Sequence, residues 1–87
     1  MLAITNINNE EREVYTCPEG KSAYIFLDIF CTGSGNVADV TIKINDTIYF
    51  SDVVDVFLSV KLSLTAQDVI KISTTSTLNA FIHGTEV

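Results

Sequence analysis

Hydrophobic and polar residues alternate with a period of two along most of this chain, and no stretch repeats with the 3.6-residue period of a helix. Ala38, Val40, Ile42 and Ile44 share one side against Asp39, Thr41 and Lys43. Val56, Leu58, Val60, Leu62 and Leu64 alternate with Phe57, Ser59, Lys61 and Ser63. Ile70 and Ile72 alternate with Lys71 and Ser73, and Leu78, Ala80 and Ile82 with Asn79, Phe81 and His83. Such alternation predicts half-buried strands with one wet face, as antiparallel sheets have. The segment 24–31 departs from it. Ile25, Leu27, Ile29 and Cys31 make one apolar side, while Tyr24, Phe26 and Phe30 make the other, interrupted only by Asp28. A strand apolar on both sides is covered twice. With no helical pattern to supply the second cover, a neighbouring chain is the expected one, and an oligomer follows.

Turn residues divide the strands. Pro18-Glu19-Gly20-Lys21 combines a preset φ with a glycine that tolerates positive φ. It predicts a hairpin with Val14 opposite Ile25, Tyr15 opposite Tyr24, Arg12 opposite Leu27 and Cys17 opposite Ser22. Gly33-Ser34-Gly35-Asn36 is the next reversal. At Asn45-Asp46 a two-residue loop sets Ile44 against Thr47 and Ile42 against Tyr49. A three-residue loop, 45–47, sets Ile44 against Ile48 and Ile42 against Phe50, which keeps the buried set on one face and is preferred. Thr65-Ala66-Gln67-Asp68 and Thr75-Ser76-Thr77 close the remaining reversals. The result is seven strands, with an eighth from Leu2 to Ile7, spaced about every ten residues. That spacing predicts an all-β fold, an antiparallel β-sandwich of seven to eight strands with jelly-roll character, in one domain spanning 1–87. Residues 1–11 form an N-terminal arm if the eighth strand stays unpaired. An immunoglobulin-type core is disfavoured, because there is no Trp to pack on a disulfide.

Composition narrows the function classes. The 87 residues are 47% hydrophobic, with one Pro and four Gly, which excludes a disordered or collagen-like chain. Size scaling gives a folded surface of roughly 5,000 Å², so the core is real but modest. Eleven acidic residues against five basic ones give a net charge of −6. Arg12, Lys21, Lys43, Lys61 and Lys71 are scattered singly, whereas nucleic acids and anionic membranes call for clustered cations. No apolar run approaches the length of a membrane-crossing helix. The residues at Met1-Leu2-Ala3-Ile4 lack the basic start and apolar stretch of a signal peptide. Cys17 and Cys31 are expected to be small, buried, reduced hydrophobes, since the hairpin register places Cys31 well past Cys17.

Candidate chemistry is sparse. His83 is the only imidazole, and a general base needs a nucleophile and an orienting group beside it. Ser73, Thr75 and Ser76 precede it with nothing to single one out, so its outward parity marks it as a surface or interface side chain. Asp46, Asp52, Asp55 and Asp68 lie in or near turns without the spacing of a calcium loop, and turn aspartates usually bond their own backbone. Glu10, Glu11 and Glu13 read as a solvated acidic loop. Gly33-x-Gly35 has no following helix or Lys-Ser/Thr to make a phosphate loop. No catalytic residue, metal ligand or cofactor site is predicted. The outward aromatics remain: Tyr24, Phe26, Phe30, Phe57 and Phe81, together with Tyr49. They suit a protein interface better than a sugar platform, because Phe outnumbers Tyr five to three and Trp is absent. A carbohydrate-binding or adhesion module using Tyr24 or Tyr49 and the loop aspartates is the alternative.

The run Val14-Tyr15-Thr16-Cys17-Pro18-Glu19-Gly20-Lys21-Ser22-Ala23, followed by an Ile-rich strand, a Gly/Ser/Asn turn and Val-x-Ile-x-Ile, resembles small all-β virion proteins of tailed bacteriophages. A second shared element is Leu64-Thr65-Ala66-Gln67-Asp68-Val69-Ile70, in which Gln67 stands where those proteins usually carry Gly. That element is also similar to one preceding a core strand in the trimeric jelly rolls of the tumour-necrosis-factor and C1q class. The resemblance covers about residues 14–83 and rests on turn-and-strand chemistry. It implies a non-enzymatic structural role in the virion, as a capsid decoration or cement subunit or a small tail or fibre component. The implied partners are further copies of the chain, as a trimer, and other virion proteins such as the major capsid or tail protein.

Overall fold

The computed structural model describes residues 1–87 and contains six strands: β1 (Ala3–Thr16), β2 (Ala23–Cys31), β3 (Val37–Ile44), β4 (Thr47–Asp55), β5 (Phe57–Leu64) and β6 (Val69–Glu86). The only helical turn is the 3-10 segment Ser34–Asn36. All six strands join one antiparallel sheet in the order β4-β3-β6-β2-β5, with β1 along the other edge of β6. The long strand β6 organises everything. Its first part, from Ile70 to Ser73, pairs with β3, and its second part, from Leu78 to Glu86, pairs with β2. Strand β1 follows it almost throughout, from Ala3 opposite Ile82 to Thr16 opposite Val69.

Eighteen extended residues would reach about 56 Å if straight. The whole molecule is 41 Å long, so β6 bends. The irregularity lies where Asn9, at φ 50°, stands against two β6 residues, Thr75 and Ser76. Asp39 of β3 holds the bend, accepting hydrogen bonds from the Thr75 hydroxyl at 2.6 Å and the Thr75 amide at 3.0 Å. Side-chain parity survives the bend: Ile70, Ile72, Thr74, Leu78, Ala80 and Ile82 are all buried. The sheet therefore curls with one continuous apolar face inward. One arm comprises β4, β3 and the nearer halves of β6 and β1; the other comprises β5, β2 and their farther halves. Twenty buried hydrophobic residues from both arms form a single core. Ile42 in one arm and Leu27 in the other are fully enclosed, and with no second sheet or α-helix present, each arm is the other's cover. The accessible surface, 4757 Å², agrees with the value anticipated from chain length.

The all-β, antiparallel class is as the alternation predicts, but several local expectations are corrected. The Pro18–Lys21 turn forms, with the Lys21 amide bonded to the Pro18 carbonyl and Gly20 at φ 76°. It does not make a hairpin. Val14, Tyr15 and Arg12 are nowhere opposite β2, because β1 pairs only with β6 and the turn carries the chain from one arm to the other. Cys17 accordingly bonds across to Gln67 and Asp68, and Ser22 pairs with Val87. No reversal occurs at Thr75–Thr77. The strands expected on either side of it are two halves of β6, just as the expected N-terminal arm and first strand are two halves of β1. The Asn45-Asp46 turn has two residues, both at positive φ, rather than three. A bulge at Tyr49 then restores the anticipated Ile42–Phe50 pairing, so the buried set stays on one face by a different device.

Two crossings between arms use strained backbone. Val56, alone between β4 and β5, sits at φ 65°, where a β-branched residue is rare. Gln67 sits at φ 67°, in the left-handed region that glycine enters most readily. Gly84 answers to another need: a Cβ there would lie 2.2 Å from the Tyr24 carbonyl oxygen, so only glycine lets β2 and β6 approach. At the far end of the fold the Tyr15 hydroxyl donates to the Glu86 carboxylate, tying the end of β1 to the end of β6. Burial, and then the Glu86 carboxylate, push the Tyr15 phenol well above its ordinary value.

Candidate functional site

Because side chains alternate across a strand, the residues opposite the core on β2 form one outer row, and the pairing register fixes their neighbours. Phe30 lies between Phe57 of β5 and Asn79 of β6. Asp28 lies between Ser59 and Phe81, Phe26 between Lys61 and His83, and Tyr24 between Ser63 and Thr85. On the far side of β6, Ile4 stands opposite Phe81. The five aromatics singled out from the sequence, Tyr24, Phe26, Phe30, Phe57 and Phe81, thus share one outer face. Tyr24, Phe26, Phe30, Phe57 and Ile4 keep 41–66% of their surface in solvent, while Phe81 is half-buried among its neighbours. Tyr49 does not join them. It lies in the β4 bulge of the other arm.

The centre of this face is polar but already satisfied. One Asp28 oxygen accepts from the Ser59 hydroxyl at 2.6 Å, and the other lies 2.7 Å from Nε2 of His83. The Ser59 hydroxyl, helped by the His83 ring, holds the Asp28 carboxyl below its ordinary value against the opposing effect of partial burial. The His83 ring in turn stacks on Phe26, with centroids 5.5 Å apart and planes 24° from parallel. Chemically, the order of the three groups matters. A nucleophilic relay needs the imidazole between hydroxyl and carboxylate, so that it can take the hydroxyl proton. Here the carboxylate stands in the middle and binds both partners, leaving Ser59 without an imidazole to activate it.

The opposite arm presents a different outer face. Lys43 pairs with Glu11 at 3.1 Å, Lys71 with Asp46 at 2.8 Å, and the Thr41 and Ser51 hydroxyls meet at 3.1 Å. The turn aspartates have local work: Asp68 accepts from Asn45 and Thr65, and Asp52 accepts from the Val53 amide. Asn45 and Thr65 hold the Asp68 carboxyl low, and Lys71 does the same for Asp46. A shallow depression of about 290 Å³ lies among Glu13, Asn45, Asp46, Val69 and Lys71. Neither Tyr24 nor Tyr49 lines it, so the residues named for a sugar site are not gathered. Cys17 and Cys31 are buried free thiols, and burial raises both above the ordinary thiol value.

Sequence reading found the aromatics but not the Asp28–His83–Ser59 cluster. Its signal is the lone charge in an otherwise apolar strand together with a His at outward parity. Joining them required the β2–β6 register, which the expected β1–β2 hairpin concealed. No family model, curated protein or solved structure matches the chain.

Proposed function

We propose that this chain is a non-enzymatic structural protein of a tailed-phage virion, an oligomeric capsid decoration or cement subunit or a small tail or fibre component. The observation that carries the reading is the aromatic outer face. Five aromatic side chains and Ile4 surround a single carboxylate that is hydrogen-bonded within the same face. Such a face is costly to leave in water and ready to be covered by protein. Burying the exposed remainder of Phe26, Phe30 and Phe57 would contribute on the order of 1 kcal/mol apiece, which accumulates where contacts repeat over a lattice. The pairing also accords with a jelly-roll reading. If β1 and β6 are each counted as two strands joined without a break, eight segments divide into two four-stranded arms, and the chain crosses between them at nearly every connection.

Virions from cells that encode the chain should contain it, detectable by mass spectrometry. Replacing both Phe26 and Phe30 by Glu should remove the protein from the particles while leaving its β-type circular dichroism intact. Absence of the native chain from virions overturns the proposal.

A further inference from the structure

We propose that the aromatic face is the contact between two copies of this chain, packed sheet on sheet about a two-fold axis; this rests on reading that face as a protein contact. The charge distribution favours a second copy. Of the eleven acidic residues only Asp28 lies on the face, balanced by Lys61, so the surface brought into contact is close to neutral although the chain carries −6. The remaining charge points away. Stacked sheets lie about 10 Å apart, so in a face-to-face pair about 30 Å separates the two charged outer arms, several times the ~8 Å screening length at physiological salt. Self-repulsion, the usual obstacle to pairing a highly charged chain with itself, is thereby removed.

The area is adequate. Four strand segments of six to nine residues, about 4.8 Å apart, present roughly 500 Å² per copy, or about 1,000 Å² for the pair, the lower bound for a specific interface. Asp28 enters the contact already bonded to Ser59 and His83, so covering it strands no unpaired carboxylate. Symmetry decides the number of copies. A ring of three requires two different patches on each subunit, whereas one self-complementary patch closes on itself as a dimer. The chain offers one such patch. Of the other exposed apolar residues, Met1, Leu2, Val37, Val56 and Val87 lie at the chain ends and strand junctions, and Ile48, Tyr49 and Val53 lie along β4, whose free edge is interrupted by the Tyr49 bulge and has the Val53 amide occupied by Asp52.

Sedimentation equilibrium of the whole chain, from about micromolar to millimolar concentration, tests this. The expected result is a species of twice the 9.5 kDa chain mass. Phe26→Glu and Phe57→Glu should each weaken pairing at least about tenfold. Lys61→Glu, at an exposed position, should weaken it in a way that added salt partly restores. Val53→Glu on the other arm should change nothing. A monomer throughout, a species of three times the chain mass, or a dimer lost through Val53→Glu but not through Phe26→Glu overturns the proposal. A monomeric chain that Phe26→Glu nevertheless expels from virions overturns self-pairing and leaves the virion role standing. A Phe26-dependent dimer absent from virions does the reverse.

Discussion

The two arms share one inner face and differ almost completely on the outer one. In the arm built on β2 and β5, the outer residues are aromatic, with one carboxylate held between a hydroxyl and an imidazole. In the arm built on β3 and β4, they are chiefly Lys, Glu, Asp, Ser and Thr, several of them paired at 2.8–3.1 Å, with Ile48, Tyr49 and Val53 exposed along the edge strand β4. Both are antiparallel, both are bent from the same two long strands, and both bury Ile, Leu and Val inward. The contrast teaches that folding and docking are written on opposite parities of the same strands. Inward positions are satisfied within the chain, and on the outer side only one arm leaves apolar rings in a contiguous patch.

The largest expected effects test the shared inner face. Leu27→Ala in the aromatic arm and Ile42→Ala in the polar arm should each cost about 2–5 kcal/mol in chemical denaturation. A loss confined to one arm would show that the two do not share a core. Next comes Gly84→Ala, specific to the aromatic arm, where the added methyl meets the Tyr24 carbonyl. We expect a loss of about 2–3 kcal/mol and faster amide exchange along β2, with β3 and β4 less affected. Opposite in sign is Val56→Asn at the crossing between arms. It relieves a β-branched residue from positive φ and should raise the melting midpoint by the equivalent of up to about 1 kcal/mol.

The smallest effect concerns acid, and it touches both arms. Asp28 is held low by Ser59 and His83, and Asp39 by the Thr75 hydroxyl and amide. Depressed carboxyls stabilise the fold above their unfolded value of 3.8 and lose that contribution as pH falls through their lower folded values. Thermal stability should therefore decline below about pH 4. Asp39→Asn should flatten the decline and loosen exchange at the β6 bend, whereas Asp28→Asn should flatten it without affecting the bend.

Much of the fold was legible because burial parity is a local property. The inward sets on β2, β3, β5 and β6 follow directly from alternation, and the outward aromatics follow from the same parity. Pairing was not legible, since it depends on contacts far apart in the chain. Pro18-Glu19-Gly20-Lys21 has hairpin chemistry, yet tertiary packing uses it as a crossing between arms. Thr75-Ser76-Thr77 is rich in turn residues, yet Asp39, more than thirty residues away, captures it as a bend within one strand. At Asn45-Asp46 the conserved quantity was the inward face, and a bulge preserved it where loop length alone would not. The Asp28–His83 contact has the same cause: each residue stands out locally, and only long-range register brings them together.

Strand β6 belongs to both arms at once, and this makes the molecule indivisible. Cutting the backbone near Ser76 would strip each half of its central strand, so neither arm has a route to autonomous folding, and the two should melt in a single cooperative transition. Assembly must also wait for β6 to be synthesised, because β1 finds its partner more than fifty residues downstream. Until then the apolar side of β1 has nothing to pair with, and folding should be slow, in the millisecond-to-second range expected when distant strands must meet.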